Sequence, residues 1–214
     1  MENTEQIKIS GIVEHIVYRS EETGFTVMEI DSDGELITAV GEITGIEEGE
    51  EVDLTGSYVV HSNFGRQFKV ILTERRLPST AHAMLKYLSS GTVKGIGPVL
   101  ARRLVEEFGA DTLEIAEKDP ERLTKVRGVS PAKAQAINAE LKRVFGIRAV
   151  MMFLSAYKIS PVHSVRIWKR YGASSADVIR ENPYVLCDEG IGIDFEKADE
   201  IATELGISSD SPHR

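Results

Sequence analysis

Cysteine is almost missing from this sequence, with Cys187 the one thiol in 214 residues. That excludes a disulfide framework and a thiolate zinc cluster, and it fits a reducing compartment. Long apolar runs are missing too. Nothing approaches the ~18 residues of a membrane span, and the polar, acidic start from Met1 to Gln6 is unlike a secretory leader. No membrane partner is therefore expected, and the expected location is the cytoplasm. Basic residues are in deficit: 25 Lys and Arg against 34 Asp and Glu leave a formal charge of −9, which excludes coating of a polyanion by bulk positive charge. The five histidines (His15, His61, His82, His163, His213) are scattered without ligand spacing, so no metal site is expected. No carboxylate pair is marked out as acid and base, and no catalytic residue is assigned.

The charge that is present is unevenly placed. Residues 1–78 hold 16 acids and 6 bases (−10), residues 79–158 hold 8 acids and 13 bases (+5), and residues 159–214 hold 10 acids and 6 bases (−4). A polyanion would be bound in the middle segment.

Residues 7–76 consist of short β-rich runs separated by turn residues. The spacing predicts five strands over 7–18, 24–31, 35–43, 50–61 and 66–76. Val52, Leu54, Gly56, Tyr58 and Val60 alternate with Asp53, Thr55, Ser57 and Val59, a period of two that puts one face inside. Gly11 breaks the alternation of Ile7 and Ile9 and shifts it to Ile12, which predicts a β-bulge. Five bent strands in so short a segment predict an OB-like barrel. Tyr18-Arg19 with Gly24-Phe25, and the tip around Phe64 and Arg66, could contact DNA through stacking and phosphate pairing. The plainer expectation is that Phe25 is core and that Phe64 caps the barrel or meets the next domain, because a −10 module repels phosphate unless a patch is local. Glu47-Glu48-Gly49-Glu50-Glu51 reads as a solvated turn.

After Pro78 the apolar spacing becomes helical, as in Met84, Leu85 and Leu88, then Leu100, Leu104, Val105 and Phe108. Between these lies Lys94-Gly95-Ile96-Gly97-Pro98: a tight glycine turn, then a proline suited to a first helical position. Open amides at the start of that helix form a phosphate site. The pattern recurs 63 residues on. Ile96-Gly97-Pro98-Val99, Phe108-Gly109-Ala110, Asp119-Pro120 and Leu123 return as Ile159-Ser160-Pro161-Val162, Tyr171-Gly172-Ala173, Asn182-Pro183 and Leu186. Gly128-Val129-Ser130 with Lys133-Ala134 returns as Gly190-Ile191-Gly192 with Lys197-Ala198. The expected fold is α+β and multidomain: a five-stranded barrel (1–78), a basic pair of helical hairpins (79–157) and an acidic pair (158–214).

Gly-Ile-Gly-Pro followed by Ala101 and Leu104 resembles a helix-hairpin-helix motif. Gly24-Phe25-Thr26-Val27, Phe64-Gly65-Arg66-Gln67-Phe68-Lys69-Val70, the Gly95 to Leu104 hairpin, Asn182-Pro183-Tyr184 and Gly190-Ile191-Gly192 with Lys197-Ala198-Asp199 follow in an order that resembles the N-terminal region of RecD-like ATP-dependent DNA helicases, the RecD/TraA family. The resemblance implies four helix-hairpin-helix motifs in two (HhH)2 units. It also implies a role in DNA repair or recombination, and two RecA-like motor domains that follow in the same parent and move 5′ to 3′ on single-stranded DNA. No Gly-x-x-x-x-Gly-Lys-Ser/Thr loop occurs here, so ATP and magnesium would belong to those motor domains and no cofactor is expected in this chain. The tail from Gly206 to Arg214 reads as a place where the family continues.

Of the four hairpins, the first is expected to hold phosphate on the amides around Gly95, Ile96 and Gly97, with Lys94, Arg102 and Arg103 adding charge. The Lys-Thr often found after such a turn is Val99-Leu100 here, which weakens the contact. In the second, Arg127, Gly128, Ser130 and Lys133 are candidates, with the Ser130 hydroxyl free to donate to phosphate or cap a helix. The third, Lys158-Ile159-Ser160, lacks glycine and reads as a structural copy. Asp188, Glu189, Asp194 and Glu196 crowd the fourth, which reads as a packing surface for the motor domains or a protein partner. The expected ligand is DNA, single-stranded or forked, bound without sequence preference. Alternatives are a RuvA-like junction-binding protein, which shares the barrel-plus-hairpins layout, and a protein-interaction scaffold. Cys187 and Trp168 read as core.

Overall fold

The computed structural model describes residues 6–207. The leader and continuation expectations, and His213, fall on residues 1–5 and 208–214, outside the described residues. Five strands close into a barrel: β1 (Ile7–Arg19), β2 (Phe25–Ser32), β3 (Glu35–Glu42), β4 (Glu51–His61) and β5 (Gly65–Arg76), in the order β1-β2-β3-β5-β4. All pairings are antiparallel except β3 with β5. Met28, Ile30, Ile37, Ala39, Val52, Leu54 and Phe68 alternate inward from four strands and, with Val13 of β1, fill the core. Each large apolar side chain so buried contributes roughly 1.5–3 kcal/mol, well above the differences in strand propensity. The inward alternation of β4 ends at Val60, which is 83% exposed because β4 has by then left the barrel.

Gly11 is not a bulge. It pairs regularly with Val52, and the irregularities of β1 fall between Val13 and His15 and between Ile16 and Tyr18. β1 pairs with β4 as far as Ile12 and with β2 from Ile12 onward, so the strand turns from one partner to the other there. A Cβ at Gly11 would overlap the carbonyl oxygen of Asp31, and glycine serves this close approach.

The acidic run 47–51 is not a solvated turn. Glu50 is 1% exposed and pairs with Arg75 at 2.8 Å, while Arg75 also donates to the carbonyls of Thr44 and Gly45. Gly49 lies against the first helix, where a Cβ would overlap the backbone of Ala83 and Tyr87. Glu47 pairs with Arg19 at 3.4 Å and accepts from Thr92 at 3.2 Å. Glu14 of β1 pairs with Lys86. The run therefore joins the barrel to the helices, and its carboxylates are used by specific partners.

The helices are α1 (Ala81–Ser89), α2 (Pro98–Phe108), α3 (Thr112–Lys118), α4 (Pro131–Ser155), α5 (Pro161–Tyr171), α6 (Ser175–Glu181) and α7 (Phe195–Glu204), with short 3-10 turns before α3, α4 and α6 and before the loop to α7. Contacts divide the chain into Met1–Val144 and Phe145–Arg214, a boundary inside α4. The barrel and most of the first hairpin pair thus share one compact unit. In the first unit Tyr87, Leu88, Leu100, Leu104, Leu123, Ile137 and Leu141 are buried. In the second, Leu154, Ile167, Ile179, Leu186, Ile191 and Ile201 form the core, with Trp168 and Cys187 half-buried against it. Burial raises the Cys187 thiol pKa, and Asp194 adds to the rise.

Candidate nucleic-acid interface

The loop between α1 and α2 forms the first hairpin. Gly95 turns the chain at φ +91°, a conformation that side chains resist. The Ile96 side chain is core at 4% exposure, and its N–H donates to the Val93 carbonyl at 3.2 Å. The amide expected to reach a ligand at Ile96 is therefore consumed by the turn. Gly97 precedes α2 and offers no side chain to cap it; the helix begins with the Ala101 N–H donating to the Gly97 carbonyl at 2.9 Å. Pro98 has no N–H, so the amides of Val99 and Leu100 stand open at the positive end of α2, with no acceptor among the described residues.

The second hairpin is held beside the first by Arg103, whose guanidinium donates to the Arg127 carbonyl at 3.1 Å. Gly128 turns the chain at φ +94°, and Ser130 caps α4 by accepting from the Lys133 N–H at 3.2 Å. Between the hairpins lies a cleft of ≈ 340 Å³ lined by Gly95, Gly97, Arg103, Arg127, Gly128 and Lys133, with Pro98, Val99 and Leu100 along one side. Three cations line the cleft beside the open backbone donors, a chemistry suited to an anion such as a phosphate group. Among the sequence-predicted residues, Arg102 is exposed on α2 but does not line the cleft, and Ser130 acts as a cap. Lys94 is exposed and does not line the cleft either, and its backbone N–H meets the Glu140 carboxylate. A bond from Arg143 is the main reason that carboxyl is held below its usual range.

Sequence reasoning missed the part played by Arg103 in joining the hairpins. The signal was there: Arg166 stands 63 residues further on and donates to the Ile191 carbonyl at 2.9 Å. The second unit copies the first in other details. Gly109 and Gly172 have φ +58° and +54°, and Thr112 and Ser175 each donate a hydroxyl to those carbonyls, at 2.7 and 2.6 Å. Lys158 takes the place of Gly95 at φ +56°. Gly192, at φ +80° beside Arg166, is the counterpart of Gly128 beside Arg103; Gly190 is not, so the slip in the repeat precedes this loop.

The chemistry at these copied positions differs. The Ser160 hydroxyl does not cap α5 and instead lies 2.8 Å from the His163 ring. Burial first, and the charge of Arg166 second, hold the His163 pKa below its usual value, so the ring adds no charge at neutral pH. Asp194 caps α7, its carboxylate accepting from the Lys197 N–H at 2.8 Å. Arg170 is paired with Asp188 at 2.6 Å and Lys197 with Glu200 at 2.5 Å.

On the barrel, Phe25 is 40% exposed and Phe64 73% exposed, so the former is not core and the latter does not cap the barrel. Tyr18 and Phe25 lie 6.5 Å apart, and the Arg66 guanidinium sits 3.7 Å from the Tyr58 ring centre. Among the described residues, no three His, Cys, Asp or Glu side chains come together as a metal site, and no helix is long and apolar enough to cross a membrane.

Comparison with known proteins follows the same division. Residues 6–78 match the family model of the OB-fold domain of the ATP-dependent DNA helicase YrrC. Residues 85–143 match a SAM-like helix-hairpin-helix tandem, and residues 143–214 match the helix-hairpin-helix domain of the ATP-dependent RecD2 DNA helicase. A protein named ATP-dependent RecD2 DNA helicase from Deinococcus radiodurans is 26% identical over 219 residues, spanning 98% of this chain and 30% of that protein's length.

Proposed function

We propose that this chain is a DNA-binding region that holds the sugar–phosphate backbone without reading sequence, a reading supported by its matches to the OB-fold domain of the YrrC helicase, a helix-hairpin-helix tandem and the helix-hairpin-helix domain of the RecD2 helicase. The observation that carries this reading is the cleft in which Arg103, Arg127 and Lys133 face the uncapped start of α2. A phosphate there accepts from the amides of Val99 and Leu100 and is neutralised by the three side chains, which releases counterions from the DNA. The ligand is single-stranded or forked DNA. In the whole protein the region positions that DNA for RecA-like motor domains, which bind ATP and magnesium and move 5′ to 3′ in cytoplasmic DNA repair or recombination. The second hairpin pair, with Asp194 at its helix start, serves as a docking surface for those domains or for a protein partner. The match of residues 143–214 to a RecD2 domain favours this reading over a RuvA-like one.

Binding of single-stranded, duplex, forked and four-way DNA, followed by anisotropy from low to moderate salt, tests the proposal. A few phosphate contacts give a shallow but definite loss of affinity with salt. The double variant Arg127→Glu/Lys133→Glu is expected to weaken every DNA form by at least about tenfold. Wild-type behaviour of that variant would end the assignment, and strong preference for four-way junctions would favour the RuvA-like alternative.

A further inference from the structure

The barrel is acidic as a whole, with 16 acids against 6 bases in residues 1–78, but no Asp or Glu occurs between Asp53 and Glu74. That stretch holds Arg66 and Lys69 and comprises most of the β4–β5 hairpin. β1 pairs with β4 only as far as Gly56, and β3 pairs with β5 only at Phe68 and Lys69. From Ser57 to Gln67 the two strands therefore pair with each other and with no other strand among the described residues. The hairpin extends past the barrel and carries apolar side chains into solvent, with Val60 83% and Phe64 73% exposed. His61 lies 4.9 Å from the Phe64 ring centre, and its Nδ1 accepts from the Asn63 N–H, which orients the imidazole. Arg66 is stacked on Tyr58, a geometry that fixes the plane of the guanidinium and leaves its N–H edge for an acceptor.

We propose that this hairpin is a second DNA contact, a stacking platform for the bases of single-stranded DNA. An unpaired base lies on the Phe64 ring, and the adjoining phosphate is met by Arg66, on the face of the hairpin that carries Tyr58. The absence of carboxylates on the hairpin removes the repulsion that the rest of the barrel exerts on phosphate. Duplex DNA keeps its bases stacked internally and offers no free π-face, so the platform discriminates for single strands, and every base suits it. The inference shares with the proposed function its ligand, DNA, but uses a site separate from the cleft at α2.

The test uses the full chain with Phe64→Trp, whose emission is quenched when a base stacks on the indole; the wild type supplies the background from Trp168. Titration with an oligo-dT strand is expected to quench the new emission, while an abasic strand of equal length and a duplex leave it unchanged. Phe64→Ala is expected to lower affinity for oligo-dT about tenfold and affinity for duplex less than about twofold. An unquenched indole at saturating oligo-dT, together with unchanged affinity in Phe64→Ala, overturns the proposal, and the hairpin then meets a protein. The Arg127→Glu/Lys133→Glu variant separates the two readings: if quenching persists while duplex binding is unaffected by that variant, the cleft assignment fails and the platform stands.

Discussion

The two hairpin pairs have the same backbone and opposite chemistry. Arg103 and Arg166 hold their neighbouring loops through the same carbonyl bond, and Gly128 and Gly192 turn at the same point. What differs is the occupant of the helix start. α7 begins under the carboxylate of Asp194, whereas its counterpart α4 begins under the neutral hydroxyl of Ser130; α2 and its counterpart α5 both begin without a side-chain cap, after Gly97 and after Ser160. An anion is favoured at both places by the same orphan donors and helix dipole. In the second unit the chain supplies that anion itself, and its cations Arg170 and Lys197 are already paired with Asp188 and Glu200. A duplicated scaffold can thus keep its backbone while the charge around its hairpins changes sign: Arg127 and Lys133 line the first cleft, and Asp188 and Asp194 stand at the second pair.

The most severe way to break the contrast is to give the first unit its own anion. A Cβ at Gly97 meets nothing within 4 Å and the residue already has extended backbone, so Gly97→Asp fits. It is expected to lower DNA affinity by roughly 10- to 100-fold through loss of charge-assisted bonds, while a carboxylate cap adds a few tenths of a kcal/mol to stability. Anisotropy and thermal unfolding on the same sample check both signs. Next comes the pair Arg103→Ala and Arg166→Ala. Each is expected to cost its unit about 1 kcal/mol for a partly exposed charge-to-carbonyl bond, but only Arg103→Ala should also reduce DNA affinity, by several-fold; equal DNA effects would erase the distinction. Lys158→Gly is smaller. Relief of the left-handed side chain, offset by the greater freedom of an unfolded glycine, should stabilise the second unit by about 0.5 kcal/mol. Urea unfolding read by Trp168 emission reports it, with DNA affinity unchanged. Smallest is Asp194→Ser, which keeps a cap and should alter stability and DNA affinity only marginally.

The barrel strands were legible to within a residue or so because a half-buried strand writes its period into the chain, as Met28 and Ile30 or Val52 and Leu54 do. The four hairpins were legible from glycine, proline and the repeat. What stayed hidden depends on partners far away in sequence. Glu50 looks like any surface acid until Arg75 closes over it, and Gly11 looks like a bulge until Asp31 crosses behind it. In the cleft, composition pointed to Arg102 and Arg103 alike; the turn of α2 sends only Arg103 to the second hairpin. Ile96 was expected to donate to a ligand because a tight turn exposes amides, but that same turn is closed by its own bond to Val93. Lys158 looked like the loss of a hairpin glycine, yet it adopts the glycine conformation and preserves the loop.

The central claim is that DNA enters the first cleft and not its copy, and amide chemical shifts of the isotopically labelled chain address it most directly. On addition of an oligonucleotide at low salt, the amides of Gly95, Gly97, Val99, Leu100 and Gly128 are expected to shift together, while those of Lys158, Gly192, Ile193 and Lys197 stay in place. Shifts centred on the second set, with the first set unmoved, would contradict the account.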